Sequence, residues 1–406
     1  MPRSIGVWPV FLMRILRVID TLNPRTGGPA MGVRSVTPVL RDLGHETVIA
    51  TVDSPEQPAQ CVDGADVIAL GPARGSYRFS QDLRVWLLRN VHRFDVVVVH
   101  GLWQSLGRSV HLATRDNPVP YFVYPHGMLD PWFRRAYPGK HAKKWLYWLM
   151  VERHVLGDAS AVLFTCEEER RLARKSFAPY YCVERVVNYG TAAAPDDEAL
   201  QIATWHKLYP ALRHRPFLLF LGRIHPKKGI DLLLEAYATL ASQTGTPPAL
   251  VIAGPSEDPE LLRRLQTLAA NLPERSEIIW TGLLEGAAKW GALRTADAFV
   301  LPSHQENFGL AVVEALSVGT PVLISKQVNI WREIVADGAG FASDDTVAGT
   351  TELLAGWHAL PTIARTGLRS RAAKCYRERF DVHSVAHSFV TTVQSFLQPT
   401  ATVLAS

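Results

Sequence analysis

Short apolar runs rich in Val, Ile, Leu and Phe recur along the chain, each followed by a longer stretch whose apolar positions return every three to four residues. An apolar run without polar alternation is what a parallel strand buried on both faces requires. The longer stretches have the period of helices that cover such a sheet. The runs fall into two sets, 15–19, 47–51, 96–99, 121–124, 161–164 and 185–187, then 217–221, 250–253, 278–280, 298–301 and 321–325. Between the sets lies a polar segment, Gly190-Thr-Ala-Ala-Ala-Pro-Asp-Asp-Glu198, and no strand signal returns before Arg215. The predicted fold is α/β, two doubly wound parallel sheets, with domains at 1–190 and 191–380 and a helix over 381–406 that crosses back to the first domain. Folds of this kind bind ligands outside the carboxyl ends of their strands, so a cleft between the two sets of strand ends is the expected site.

Composition narrows the class. A chain of 406 residues, 47% hydrophobic and 20% charged, has room for two full cores. The formal charge of +5 fits an anionic ligand or surface. Without a zinc-finger pattern or a dense basic tract, it does not make a nucleic-acid partner. Cys61, Cys166, Cys182 and Cys375 form no C-x-x-C pair, which argues against a zinc site and a disulfide framework and for a reducing cytoplasm. The first residues, up to Met13, look like a short signal h-region but lack an A-x-A cleavage site. They read as an extension ahead of the first strand, with Met13 a second candidate start. No run of 18 or more apolar residues exists to span a membrane.

The most informative stretch is Pro302-Ser-His-Gln-Glu306-Asn-Phe-Gly-Leu-Ala-Val-Val-Glu314-Ala-Leu, at a join between an apolar strand and an apolar helix. If the eight steps between the carboxylates are mostly helical, they lie about 12 Å apart along the axis, close to the span of a nucleotide diphosphate-sugar. One acid then meets the sugar and the other the ribose, with backbone N–H groups of the helix start facing the diphosphate. Glu314 sits among apolar neighbours, where a carboxylate needs a hydrogen-bonding partner, either a ribose diol or an arginine of the fold. Arg223 follows a buried strand and a glycine, which puts a fork of donors at a strand mouth. Lys228 is expected to open the next helix, whose apolar face is Ile230, Leu233, Leu234 and Tyr237.

In the first half, Asn23-Pro-Arg-Thr-Gly27-Gly28-Pro-Ala-Met-Gly32 is a glycine turn between a strand and a helix. It is neither G-x-G-x-x-G nor a G-K-[ST] loop, which argues against a dinucleotide dehydrogenase and a P-loop enzyme. Tyr124-Pro-His126-Gly-Met-Leu-Asp130 caps another strand and presents His126 either to a sugar hydroxyl or to a carbonyl of a strained turn. His100 ends the 96–99 run in a similar way and is either structural or on the acceptor side. Cations and interfacial aromatics mix through 131–150, as suits a helix lying on an anionic membrane surface or a core helix with a solvated basic face.

Five motifs occur in one order in the second half: Phe217-Leu-Leu-Phe-Leu-Gly222-Arg223 through Lys227-Lys228-Gly229, Val251-Ile-Ala-Gly254, Trp280-Thr-Gly282, Ala296-Asp297 through Pro302-Ser303, and the Glu306/Glu314 pair. Together they resemble the donor domain of family 4 glycosyltransferases, retaining enzymes of the two-domain GT-B fold. The resemblance implies that Arg223 and Lys228 meet the donor diphosphate, that Glu306 meets the donor sugar, and that Glu314 holds the ribose. It assigns backbone N–H groups of Phe308, Gly309 and Leu310 to the phosphates, Gly28 to the donor phosphates, and His126 to the donor sugar. Many members carry Pro-Asn-Gly-Val-Asp at the crossover between domains, where this chain has Asn188-Tyr189-Gly190, so a contact made by that Asp is in doubt. The implied function is metal-independent, retaining transfer of a hexose from a UDP- or GDP-sugar to a lipid-linked or oligosaccharide acceptor in cell-surface polysaccharide synthesis. No cofactor is implied, and the expected location is the cytoplasm, peripheral on the inner membrane face. Two alternatives on the same architecture are a nucleotide-sugar 2-epimerase and a catalytically silent nucleotide-sugar-binding partner of an assembly complex.

Overall fold

The computed structural model describes residues 12–56, 60–132, 134 and 138–397. The chain divides into two compact units. Among the described residues, the first takes in those up to Thr165, Glu169–Asn188 and those from Val385 to Leu397, while the second comprises Cys166–Glu168 and Tyr189–Ser384.

The first unit carries strands β1 (Arg14–Ile19), β2 (Glu46–Thr51), β3 (Ala65–Ala69), β4 (Val96–His100), β5 (Tyr121–Tyr124), β6 (Ala161–Phe164) and β7 (Glu184–Val186). They form one sheet in the order β3-β2-β1-β4-β5-β6-β7, with every neighbouring pair parallel. The unbroken valine run of β4 is buried at every position because helices cover both faces of a sheet built from crossovers. Phe389, from the helix Val382–Leu397, belongs to this unit and packs beneath the Arg17 guanidinium of β1.

The second unit holds β8 (Phe217–Leu221), β9 (Ala249–Ala253), β10 (Ile278–Gly282), β11 (Ala298–Leu301), β12 (Val322–Ser325) and β13 (Gly340–Ser343), in the order β10-β9-β8-β11-β12-β13 and again all parallel. Its core is dense in aromatics. Trp205, Phe217, Tyr237, Phe299 and Phe380 are all fully buried, each contributing about 1.5–3 kcal/mol of transfer free energy. Trp205 lies on the helix Glu198–Leu208, inside the stretch that carries no strand signal. A Cβ on Gly291 would lie 2.1 Å from the Gln201 carbonyl oxygen, so the glycine lets the helix Gly286–Thr295 close on that helix.

Two strands escape the hydrophobic pattern, and both are sheet edges. Residues of β3 are mostly half-exposed and include Asp66, so the run loses its apolar continuity. The outer strand β13 begins at Gly340, where a Cβ would come within 2.1 Å of the Val322 carbonyl oxygen of β12. The signal-like residues before Leu12 fall outside the described part of the chain. Among the described residues, no helix is long and apolar enough to cross a membrane, and no group of three or more His, Cys, Asp or Glu side chains is arranged to hold a metal ion.

Candidate active site

In the second unit the site is assembled by glycines at strand ends. Gly254 (φ 144°) follows β9, and a Cβ there would fall 1.8 Å from the Gly222 carbonyl oxygen, so the turns after β8 and β9 stack backbone on backbone. Gly222 N–H donates to the Ala253 carbonyl at 2.9 Å, and Ile224 N–H to the Pro255 carbonyl at 2.8 Å. Arg223 stands between these two bonds with its side chain exposed at the carboxyl end of the sheet.

Lys228 does not open a helix, contrary to the expectation from the sequence. It ends a 3₁₀ turn, Pro226–Lys228, and the helix Ile230–Gln243 starts only after Gly229 takes the left-handed conformation (φ 65°). The apolar face expected for that helix is present, with Ile230, Leu233, Leu234 and Tyr237 all buried. A Cβ on Gly229 would meet the Pro302 carbonyl oxygen at 2.2 Å, and His304 N–H donates to the Lys227 carbonyl at 2.8 Å. These two close approaches bind the lysine turn to the loop after β11. Consequently Lys228 Nζ forms an ion pair with Glu306, both side chains about four-fifths buried.

Glu306 is anchored through its own backbone, its N–H donating to the Gln327 carbonyl and its carbonyl accepting from Asn329 N–H, each at 3.0 Å. The 306–314 stretch is only partly helical. Gly309 (φ 78°) caps a short helix, Leu310–Ser317, so the axial spacing of about 12 Å expected for a continuous helix does not apply. Left-handed φ at Gly309 is what turns a loop that pairs with residues 327–329, just past β12, into that helix, and no side chain caps the first turn. Phe308 is buried edge-on against Tyr189 and Phe380, at 5.6 and 5.8 Å between ring centroids, which fixes the backbone just before the helix. Leu310 packs half-buried on the same core.

Glu314 does have a partner within the fold, and it is a lysine instead of the arginine considered from sequence. Lys289 Nζ lies 2.8 Å from Glu314 Oε1, with the two side chains 22% and 18% exposed. Such a half-buried pair leaves carboxylate lone pairs for further donors. Cations gather around the neighbouring His225, whose imidazole is held below its ordinary pKa by burial and by Arg223, Lys227 and Lys228.

In the first unit, Gly28 begins the helix Gly28–Asp42 directly after Gly27 (φ 107°). A Cβ at Gly28 would meet nothing within 4 Å, so the fold itself does not demand glycine there. His126 sits just beyond β5 at φ 51°, one of three non-glycine residues with positive φ among the described residues, the others being Arg78 and Trp103. A side chain held in this region stores backbone strain, a cost that accumulates at functional turns. Burial, with Arg17 nearby, depresses the His126 imidazole to about 3, so the ring is neutral at physiological pH. His100 is buried at the end of β4 and bonded to His126.

Three contributors were not apparent from sequence. Lys289 is one of two cations on the helix Gly286–Thr295, 25 residues from its partner. Arg17 did leave a signal, a charge inside the apolar run Arg14-Ile-Leu-Arg17-Val-Ile19, where it is costly unless bonded. Glu152 closes a π-helical turn, Trp148–Glu152, and is fully buried; burial pushes its carboxyl up to about 8 against the Trp103 N–H, Lys144 and the Tyr147 hydroxyl. Nearby, Trp148 is buried whereas Trp145, Leu146 and Met150 are exposed, and Lys140 and Lys143 lie on the surface of the preceding helix Pro138–Tyr147. Arg135 of the same basic segment falls outside the described residues.

Two family models match, and they cover the units separately. Glycosyl transferases group 1 matches residues 202–355, which include every motif from Arg223 to Glu314, and Glycosyl transferase 4-like domain matches residues 27–188, which include Gly28 and His126. The chain belongs to the family 4 glycosyltransferases. It is therefore an enzyme of sugar transfer, and its two parallel-sheet domains have the GT-B fold. This glycosyltransferase is 27% identical to a GDP-mannose-dependent alpha-(1-6)-phosphatidylinositol dimannoside mannosyltransferase of Mycobacterium tuberculosis, over 91% of this chain and 92% of the relative. Sucrose-phosphate synthase from Thermosynechococcus elongatus superposes with a TM-score of 0.72 at 20% identity, covering 94% of this chain and 98% of the other. HepE of Anabaena, solved in complex with UDP and glucose, gives 0.71 at 16% identity over 94% and 100%.

Proposed function

We propose that this glycosyltransferase moves a hexose from a nucleotide diphosphate-sugar to a lipid-linked or oligosaccharide acceptor, with retention of anomeric configuration and without a metal ion. The observation that carries the reading is the placement of Lys228 against Glu306, beside exposed Arg223 and the uncapped start of the helix Leu310–Ser317. Two permanent cations and a row of backbone N–H groups are what a diphosphate leaving group needs where a divalent ion is not used. Glu306, already neutralising Lys228, meets donor-sugar hydroxyls in this reading. Glu314, paired with Lys289, takes the ribose diol. For the first unit, the family resemblance assigns His126 to the donor sugar and the Gly28 turn to its phosphates. In the step itself the acceptor oxygen bonds to C1 on the face from which the phosphate departs. The C1–O bond to the phosphate breaks through an oxocarbenium-like state, and the acceptor proton passes to the leaving phosphate oxygen. A donor screen tests the reading. Among UDP, GDP, ADP and their sugar conjugates, one family should raise stability by about 2.7 kcal/mol at a hundred times its dissociation constant. Indifference to all of them in thermal unfolding would count against it.

The acceptor side is read as a cytoplasmic membrane face, with the acceptor serving polysaccharide assembly at the cell surface. Exposed Trp145, Leu146 and Met150 together with Lys140 and Lys143 support this, since interfacial aromatics next to cations suit anionic headgroups. Changing Arg134, Arg135, Lys140 and Lys143 to Gln should abolish salt-sensitive co-sedimentation with anionic vesicles, each near-surface cation being worth about 1 kcal/mol, whereas Lys144 is turned onto the Trp103 ring. Equal binding by parent and variant would leave a soluble acceptor as the better reading.

A further inference from the structure

Arg17, His100 and His126 form a chain of side-chain hydrogen bonds inside the first unit. Arg17 Nη1 lies 3.2 Å from His100 Nε2, and His100 Nδ1 lies 3.0 Å from His126 Nε2. The two imidazole planes are within 15° of parallel, and their 5.3 Å centroid separation matches an edge-to-edge N–H···N bond. Each link has a fixed direction. A guanidinium has only donors and keeps its charge, so His100 Nε2 must be the acceptor and carries no proton. The His100 proton is therefore on Nδ1, which donates to His126 Nε2. That nitrogen accepts, and the ring proton of His126 is left on Nδ1. We infer that Arg17 and His100 are positioning residues that lock His126 as its Nδ1–H tautomer, a neutral ring of fixed orientation.

The surroundings explain how the lock is held. Arg17 is buried in β1 with its guanidinium 4.9 Å above the Phe389 ring, and His100 ends β4, the neighbouring strand. Tyr124 stacks on both histidines, at 5.4 and 5.5 Å. His126 itself is set by the left-handed turn after β5. An arginine inside an apolar strand is a costly residue to keep for packing alone. Here its donor passes through one imidazole to decide the proton position on another. What the locked ring does in transfer rests on the reading of His126 as a donor-sugar contact.

The test is long-range proton–nitrogen NMR of the full chain labelled with ¹⁵N-histidine, with the His126 signals identified by their loss in His126→Gln. The parent should show His126 protonated on Nδ1. His100→Phe keeps a ring but breaks both bonds, and its His126 should become a mixture of tautomers. His100→Gln should restore the parental pattern, because its amide oxygen accepts from Arg17 and its amide nitrogen donates to His126. In turnover the Phe variant should lose about tenfold in kcat with donor KM nearly unchanged, and the Gln variant should recover most of it. A parental His126 carrying its proton on Nε2, or a His126 signal that His100→Phe leaves unaltered, would overturn the inference. Should the tautomer follow the pattern while kcat stays at the parental value in every variant, the lock stands and the assignment of His126 to the donor sugar falls.

Discussion

Lys228→Ala should cost about 10²–10³ in kcat, on the scale of removing a single oxyanion donor, while donor affinity falls much less. The reason is timing. Negative charge on the departing phosphate is greatest in the transition state, so a cation beside it is worth more there than in the bound donor. Arg223→Ala should behave in the same direction. The two differ in the free enzyme, because Lys228 is bonded to Glu306 and Arg223 is exposed. Removing Lys228 leaves a half-buried carboxylate without its partner, so some loss of stability should accompany the kinetic effect. Saturating the variants with donor separates the two contributions. Near-parental kcat for both at saturation would mean that these cations do not serve the diphosphate.

Glu314→Gln should weaken binding of the free nucleoside diphosphate by about 1.5–3 kcal/mol, the usual worth of hydrogen bonds to a charged group. The variant keeps the size of the side chain but loses the charge proposed to hold two ribose hydroxyls. It also frees Lys289, whose ammonium is 2.8 Å from Glu314 in the parent. If the carboxylate served only that lysine, calorimetry would find an unchanged nucleotide dissociation constant and the whole effect would appear in thermal unfolding. A drop in affinity that exceeds any drop in stability assigns the charge to the ligand.

Central strands were legible because burial on both faces leaves an unmistakable signature, as in Val96-Val-Val-Val99 and Phe217-Leu-Leu-Phe-Leu221. Edge strands β3 and β13 were not, since half of each faces solvent or replaces side chains with a close backbone approach. The same contrast holds at the site. Glu306 and Glu314 stood out because acids are conspicuous beside an apolar strand and helix. Their partners Lys228 and Lys289 come from 78 and 25 residues away, distances over which no local pattern can report a contact. Glycine positions mark where the fold turns, yet whether Gly229 ends a turn or opens a helix depends on the Pro302 carbonyl opposite it, a tertiary fact. Arg17 lies between these cases: its charge is visible in the strand, while the two histidines it directs are 83 and 109 residues further on.

Front-side transfer in which the protein's own cations replace a metal fixes the stereochemistry of the product. It is tested most directly by NMR of the product's anomeric centre, formed in EDTA from the nucleotide sugar that gives the largest thermal shift and an acceptor that supports turnover. The expected product carries the donor's anomeric configuration, at a rate that chelation does not change; an inverted linkage, or activity abolished by EDTA and restored by a divalent ion, would contradict it.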